Sequence, residues 1–481
     1  MPGYDPIRLP PDFWTDPAVR EALRARDIGR LLKIMTSPPL KISQTRIGVA
    51  IGGKDQGQIS RMINKTKEKT LGSLIDIADG LDMPQSARYD LLHGLLGASP
   101  QPDPIPTPDP TVGLIYPAGD QPDRASVAEL LRVDLDGHTA VTDAAVNLDA
   151  WKTTYMQWLL ADTDQAAPAD IGRIAGVEGI RRTTELFARL DNQFGGGHAR
   201  QALVQYLRSD VLPLLDEHHP DPIRAELYRA TAEAVLLAAW MSYDAGNHGL
   251  AQRYFIQAAK IADSAGDRVL SASILDAMSH QATFIGNYTE AAQLAQAAQA
   301  GTRGRATATL TAHFSLMEAR ALARLGDATG TDRAISKAVT LFEKRRPDDD
   351  PEWIRYVDDA ELAAEIGHCF RDLDRHQAAA GYLLQSVGGT SDEYLRSNYF
   401  ATMVLADAHL AAGDREQAQA IALKGIEVGE YLKSARTTTY LREFRARLEA
   451  SSSTVDTDFV DALSGSNLWR RAEEELRTEN R

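Results

Sequence analysis

The sequence predicts an all-α protein, with a small N-terminal helical bundle followed by a longer solenoid of stacked helix pairs. Three observations support this prediction. Apolar residues recur at helical spacing along most of the chain. Alanine is abundant and aromatic residues make up only 7%, which favours tightly packed helices. A short glycine motif recurs at intervals of 40 to 47 residues, the period of repeated helix pairs.

Length and composition restrict the class of protein. A chain of 481 residues is too long for one core, so we expect several domains. Its single cysteine, Cys369, excludes an intrachain disulfide and fits a reducing cytoplasm. The first residues lack the pattern of a secretion signal, and no stretch approaches the roughly 18 apolar residues of a membrane span. We therefore expect a cytoplasmic protein without membrane association.

The N-terminal elements follow from their caps and apolar spacing. Residues 1–15 are rich in proline and are predicted to be irregular. Asp16 and Pro17 begin a first helix that ends before Ser37. The remaining predicted elements are a helix capped by Ser43, a turn at Gly52–Gly53, and helices over Gln56–Asn64, Leu71–Leu81 and Ser86–Leu96.

Charge is distributed unevenly along the chain. The formal net charge is −15, which by itself argues against a nucleic-acid partner. The window from Lys41 to Lys69, however, holds seven basic and two acidic residues, a net charge of +5. Because DNA affinity depends on local neutralisation of phosphates, this window predicts a DNA-binding surface on an otherwise acidic protein.

The small and apolar residues of this region have a recognisable order. Ser43-Gln44, Ile47, Ala50 and Gly52 are followed by Ile59-Ser60-Arg61-Met62, and then by Leu71, Leu74, Ala78 and Leu81. This order resembles the Xre-type (phage-repressor-like) helix-turn-helix family over about residues 18–97. The turn after Gly52 is one residue longer than is usual in that family. Lys65 and Lys69 stand where the family commonly has glycine and proline.

The resemblance implies a set of DNA-contacting residues. Glutamine and asparagine can pair with adenine, and arginine with guanine, from a helix in the major groove. Lysines around that helix would contact phosphates. The candidate residues are Gln44, Lys54, Gln56, Gln58, Arg61, Asn64, Lys65, Lys67 and Lys69. The alternative is a helical bundle with a solvated basic face.

A proline-rich stretch marks the main boundary. Residues 98–113 hold six prolines and are predicted to form a semi-rigid linker. The predicted domains are a helix-turn-helix domain at 16–97, the linker at 98–113, a helical connector at 114–218, a repeat domain at 219–450 and a tail at 451–481. Within the connector, Gly195–Gly197 is predicted to end a helix and form a turn.

The repeat domain rests on one recurring template. Clear copies begin at Gly246, Gly286 and Gly413, and weaker ones at Gly326 and Leu373. Each copy lies between two alanine-rich helices, with a small residue where the helices would cross. The spacing resembles tetratricopeptide repeats with lengthened loops and implies a helical solenoid.

Catalytic motifs are not apparent. The sequence has no HExxH, Walker loop or GxSxG pattern and no paired cysteines, so we expect no enzyme activity, catalytic residue, metal or cofactor. In repeat solenoids the first helix of each pair lines the concave face. The residues projected onto that face as a site for a peptide or small-molecule ligand are Trp240, Tyr243, Asp244, Asp276, His280, Phe284, Arg320, Arg324 and Asp407. A solvated helix face with internal packing is the alternative.

The combination of both parts resembles helix-turn-helix regulators with tetratricopeptide bodies in actinobacteria, and in architecture the peptide-sensing quorum regulators. This resemblance implies a transcriptional regulator whose head reads double-stranded operator DNA. Its body would form a homodimer and sense a peptide or small-molecule effector. The alternative is a repeat-based protein–protein interaction scaffold without sequence-specific DNA binding.

Overall fold

A computed structural model describes most of the chain. The described residues are 7, 9–25, 27–51, 53–64, 71–84, 87–88, 91, 108–117, 122, 124–161, 175–389, 394–451 and 457–479. All of the regular secondary structure in these residues is helical, as the sequence predicts. The chain divides into two compact units, residues 1–107 and 108–481, and the division falls inside the proline-rich stretch.

The first unit contains six helices in its described part. They are α1 Pro11–Thr15, α2 Pro17–Arg24, α3 Ile28–Thr36, α4 Gln44–Ala50, α5 Gln56–Ile63 and α6 Leu71–Gly80. The predicted first helix is in fact two helices, because Asp27 caps a new one by accepting from the backbone N–H of Arg30. The predicted fifth helix, Ser86–Leu96, lies mostly outside the described residues.

The start of the chain is more ordered than the sequence indicates. Residues 1–15 are predicted to be irregular, but α1 forms and the Trp14 side chain is buried. Ile7 is buried as well, and its N–H donates to the carbonyl of Gly80 at 3.0 Å. Burial of these two apolar side chains offsets the entropy of ordering a proline-rich segment.

The second unit begins with a segment fixed on a helix of the repeat region. Arg253 donates to the carbonyl of Pro110 at 2.7 Å, and Gln257 donates to the carbonyl of Gly113 at 3.0 Å. The buried Tyr116 hydroxyl donates to Asp263 at 2.9 Å. Residues 110–116 are therefore anchored, although the sequence predicts linker as far as residue 113.

A connector of helices follows. Its helices are α7 Arg124–Leu135, α8 Thr139–Thr142, α9 Leu148–Leu160, α10 Ala175–Phe194, α11 Arg200–Tyr206 and α12 Leu212–Asp216, with a π-helical turn at Leu207–Val211. Trp151 and Trp158 are completely buried in the core. Gly195 has a φ of +84° and ends α10, as expected for a helix C-cap.

Five antiparallel helix pairs form the bulk of the second unit. The pairs are α13 Asp221–Asp244 with α14 His248–Ser264, α15 Arg268–Phe284 with α16 Tyr288–Gly301, α17 Ala308–Arg324 with α18 Ala328–Phe342, α19 Asp359–Asp372 with α20 His376–Gly389, and α21 Leu395–Ala411 with α22 Arg415–Gly429. The helices α23 Ala435–Ser451, α24 Thr457–Gly465 and α25 Asn467–Glu479 complete it. Helices α24 and α25 lie within the predicted tail at 451–481.

One turn geometry joins the helices of every pair. The second residue after the first helix has positive φ, and the N–H of the residue that follows it donates to a carbonyl five residues back at 2.8–3.0 Å. The positive-φ residues are Gly246, Gly286, Gly326, Asp374 and Gly413. The fourth copy therefore starts at Asp374, and the sequence alignment on Leu373 is wrong by one residue. The buried small residue five positions later is Ala251, Ala291, Thr331, Ala379 or Ala418.

The uneven repeat spacing has a structural cause. Between α18 and α19 the chain makes two 3-10 turns, Pro347–Asp349 and Glu352–Ile354, before the next pair begins. Asp350 between them is buried and accepts a hydrogen bond from Thr309 at 2.6 Å. The insertion accounts for the longer interval in the repeat.

No helix in the described part of the chain combines the length and apolar character that crossing a bilayer requires.

Candidate functional site

In the first unit, α4 and α5 meet through a short, closely packed turn. Ser43 caps α4 by accepting from the N–H of Arg46 at 3.3 Å. The Lys54 N–H donates to the carbonyl of Gly48 at 2.8 Å. A Cβ atom on Gly48 would lie 2.0 Å from the carbonyl oxygen of Lys54. The absence of a side chain at Gly48 is thus what lets the turn pack against α4.

The N-terminus of α5 is closed by a capping box. The Asp55 carboxylate accepts from the N–H of Gln58 at 2.7 Å, and the Gln58 side chain accepts from the N–H of Asp55 at 2.8 Å. The Gln58 side chain, a candidate base contact, is therefore engaged by its own helix. To reach a base, its oxygen would have to release the N–H of Asp55.

The remaining candidates on α5 form one exposed face. Gln56, Arg61 and Asn64 are exposed, while Ile59 is completely buried on the opposite side. Arg61 Nε and Asn64 Nδ2 donate to carbonyls four residues earlier, at 3.2 and 3.0 Å. These bonds lie at the surface, where water or a ligand can replace them at little net cost. The face therefore presents amide and guanidinium groups that are able to donate outward.

The other head candidates are placed less fully. Gln44 and Lys54 are half-buried, and Lys54 Nζ donates to the carbonyl of Ile51 at 3.1 Å. Lys65, Lys67 and Lys69 lie outside the described residues. Gln56, Arg61 and Asn64 are thus the exposed candidates, while Gln58 and Lys54 bond to backbone groups and Gln44 is half-buried.

In the second unit, aromatic candidates cluster on the first helices of the first two pairs. The Trp240 ring lies 5.5 Å from the His280 ring, and the Tyr243 ring lies 5.6 Å from Phe284. The Tyr243 hydroxyl is 3.1 Å from His280 Nδ1. Desolvation lowers the pKa of His280 well below its ordinary value, so this imidazole is neutral at pH 7.

The cluster is filled by side chains from the end of the chain. Tyr440 of α23 has its ring 6.3 Å from Phe284, 5.0 Å from Phe400 and 6.3 Å from His368. The Arg436 guanidinium, one turn earlier, lies over the rings of Tyr243, Phe284 and Phe400. Helix α23 therefore occupies the surface that the sequence assigns to a ligand.

Asp244 joins the two ends of the second unit. It is 1% exposed and accepts hydrogen bonds from the N–H of Gly196 at 2.8 Å and the hydroxyl of Ser434 at 2.9 Å. Arg396 Nη1 lies 3.5 Å from the Asp244 oxygen that accepts from Gly196, and 2.8 Å from a carboxylate oxygen of Asp191. These contacts link the connector, the first helix pair, the fifth pair and the residue before α23. We name the five residues of this set the clasp: Asp191, Gly196, Asp244, Arg396 and Ser434.

The glycine run of the connector is explained by the clasp. A Cβ atom on Gly196 would lie 2.5 Å from the carbonyl oxygen of Met241, and one on Gly195 would lie 2.8 Å from the backbone of Lys433. The N–H of Lys433 donates to Phe194, and its carbonyl accepts from Gly197 at 3.0 Å. Glycine is required here because two backbones approach from opposite sides.

The remaining candidates pair with residues of neighbouring helices. Asp276 bonds to His313 at 2.6 Å, and Arg320 forms an ion pair with Glu365. Arg324 donates to Tyr288 at 2.6 Å and lies 3.4 Å from Asp372, while Asp407 pairs with Arg371 and Arg447. Asp276, Arg320 and Asp407 thus belong to a buried polar layer between successive pairs, whereas Arg324 lies at its exposed edge.

Burial sets the protonation of this layer. Desolvation opposes the charge on His313, but the adjacent Asp276 carboxylate raises the pKa of His313 to about 9. Desolvation raises the pKa of Glu361 to about 7, and the neighbouring Glu365 adds to the effect. Desolvation also raises the pKa of the buried Cys369 thiol, which makes the sulfur a poor nucleophile at neutral pH.

Several residues of this region escaped the sequence analysis. Arg436 and Tyr440 lie on α23, beyond the helix pairs, while Phe400 and Arg396 lie in the first two turns of α21, far from the turn glycine that marks the repeat. The sequence does predict a capping helix over Thr438–Leu448, and the spacing of Arg436, Tyr440, Phe444 and Arg447 along one face is a signal that could have shown which side packs inward.

Comparison with known proteins identifies no relative. No family model, curated protein or solved structure matches the chain. Among the residues that the structure describes, no group of three or more His, Cys, Asp or Glu side chains could hold a metal ion.

Proposed function

We propose that the protein is a transcriptional regulator that binds operator DNA through α4 and α5 as a helix-turn-helix. Helix α5 would enter the major groove, and α4 would cross the phosphate backbone. The paired helices of the second unit would act as a tetratricopeptide-like body that forms a homodimer and senses a ligand. The cytoplasm is the compartment in which such a regulator would act.

The exposed face of α5 is the observation that carries this proposal. At 8 residues, α5 is about 12 Å long, similar to the width of the major groove. Gln56, Arg61 and Asn64 supply side chains that pair with base edges, while Ile59 fixes the helix from behind. This face supplies the hydrogen-bond donors and acceptors that recognition of base edges requires.

Electrostatics support the same orientation. The positive window from Lys41 to Lys69 surrounds α5, whereas the whole chain carries −15. The basic window would therefore be attracted to phosphates and the acidic remainder repelled by them. A regulator built this way would approach the duplex through its head alone.

Binding of full-length variants to a selected duplex tests the proposal. We expect Arg61→Ala to weaken binding by about 1–3 kcal/mol and to relax preference at one base position. Lys33→Ala removes the same charge from the exposed surface of α3 and serves as the matched control. Equal effects of the two variants would indicate that charge alone drives binding. If the unmodified protein shows no preference for any DNA sequence, the alternative of a protein–protein interaction scaffold is favoured instead.

A further inference from the structure

Arg436 lies in a cage of aromatic rings that come from three different helices. Its guanidinium carbon is 4.2 Å from the ring centre of Phe400, 4.7 Å from that of Tyr243 and 5.2 Å from that of Phe284. The arginine is 8% exposed. A cation over several ring faces is attracted by their quadrupoles, and the attraction grows when water is excluded.

A buried carboxylate completes the cage. Asp244 Oδ1 lies 3.9 Å from Arg436 Nη1, which is an ion-pair distance and not a hydrogen bond. Among the described residues, Arg436 Nε is buried and has no hydrogen-bond partner. The guanidinium is therefore held by charge and ring faces, with its hydrogen-bonding capacity incompletely used. Such a group can leave the cage without breaking a hydrogen-bond network.

We propose that Tyr243, Phe284, Phe400 and Asp244 form a binding site for a guanidinium group, and that Arg436 is its intramolecular occupant. A small molecule bearing a guanidinium group would exchange with Arg436. The role of that molecule as an effector rests on the proposed function, but the cation site itself does not depend on DNA binding. Planar guanidinium suits the site because it stacks on ring faces.

Exchange would act on the clasp. Arg436 is two residues from Ser434, which donates to Asp244, and three from Lys433, which bonds to the 194–197 turn. Withdrawal of Arg436 would leave the Ser434 hydroxyl on Asp244 and the Lys433 backbone on the 194–197 turn as the clasp contacts next to α23. Because the resident arginine competes at an effective concentration in the millimolar range or above, an external guanidinium must reach similar concentrations in the unmodified protein.

Chemical rescue of full-length Arg436→Ala tests the site. The substitution removes the part of the side chain that N-ethylguanidinium reproduces, and N-ethylurea is the neutral compound of the same shape. The matched control variant is Arg445→Ala, because Arg445 also lies 4.2 Å from a ring, that of Trp469, but outside the cage. Melting temperature and radius of gyration are measured with each compound at millimolar concentration, without DNA.

Selective recovery is the expected result. R436A should melt several degrees below the unmodified protein and expand, and N-ethylguanidinium should restore at least half of both losses. N-ethylurea should restore neither, and R445A should not respond to either compound. Equal recovery with N-ethylurea, equal recovery of R445A, or no recovery of R436A would overturn the proposal. If R436A is recovered unfolded, its refolding yield with the two compounds decides the question in the same way.

Discussion

Replacement of Asp244 by alanine removes the acceptor that both ends of the second unit share. Asp244 is 1% exposed, and its two oxygens accept from Gly196 and Ser434 and lie near Arg396. The substitution leaves the N–H of Gly196 and the hydroxyl of Ser434 buried without an acceptor. Arg396 keeps Asp191 at 2.8 Å and Asn192 at 3.4 Å, whereas Arg436 loses the Asp244 carboxylate at 3.9 Å.

The magnitude follows from these losses. Each buried donor left without an acceptor costs about 1–3 kcal/mol. Removal of one partner from a buried ion pair costs about 3–5 kcal/mol, and Asp191 compensates part of that here. Because the losses overlap, we expect Asp244→Ala to lower the free energy of unfolding by about 4 kcal/mol. For a unit of this size that corresponds to a fall in melting temperature of about 5 °C.

Scanning calorimetry of the full chain measures this effect. Asp348→Ala is the matched control, because Asp348 lies exposed on a 3-10 turn and should change stability by no more than about 0.5 kcal/mol. Hydrogen exchange should also show the largest loss of protection at residues 194–197 and 433–436. If the melting temperature of D244A lies within about 1 °C of that of the D348A control, the reasoning is refuted.

Three further predictions concern the head and the internal polar layer. Gly48→Ala should destabilise the first unit by about 1–3 kcal/mol, because its Cβ would meet the Lys54 carbonyl. Thermal melts followed by circular dichroism measure this, with Ser60→Ala as the control, and equal melting temperatures of the two variants would contradict the prediction. Asp55→Ala should cost about 1 kcal/mol by opening the capping box, and an unchanged urea midpoint would count against it. The raised pKa of His313 contributes stability that is complete below pH 6.5 and lost as pH rises toward about 9. His313→Gln should flatten the stability profile across that window, and an unchanged slope would show that other groups cause it.

The repeats could be predicted because their signal is local. A positive-φ turn needs glycine or a similarly tolerant residue, so Gly246, Gly286 and Gly413 stand out in the sequence. The same turn built on Asp374 carries no glycine, and the alignment slipped by one residue there. Local physics reveals a turn only where its residue preference is strict.

The clasp could not be predicted from the sequence. Asp244 and Ser434 are 190 residues apart, and neither has a local pattern that names the other. The Gly195–Gly197 run was interpreted as a turn, which is correct but incomplete. What demands three glycines is the approach of two backbones, that of Lys433 against Gly195 and Gly197 and that of Met241 against Gly196. Contacts of this kind depend on how the helix pairs stack.

The capping box shows a different limit of prediction from the sequence, because one residue can suit two roles. Asp55 and Gln58 have the spacing of a helix N-terminal box, and the sequence contains all of the necessary information. The same glutamine also suits a base contact, and the resemblance to helix-turn-helix proteins favoured that role. In the structure, the Gln58 side chain caps α5 by accepting from the N–H of Asp55. Contact between Gln58 and a base stays a prediction.

Site selection with the purified full-length protein tests the central proposal most directly. A random duplex pool is bound at moderate salt, recovered and sequenced over several rounds. We expect enrichment of a motif with two related half-sites about 34 Å apart, or a multiple of that distance, as a homodimer requires. The Arg61→Ala protein should select a motif that is degenerate at one position of each half-site. A pool that stays random after repeated selection would contradict the assignment of α5 as a DNA-reading helix.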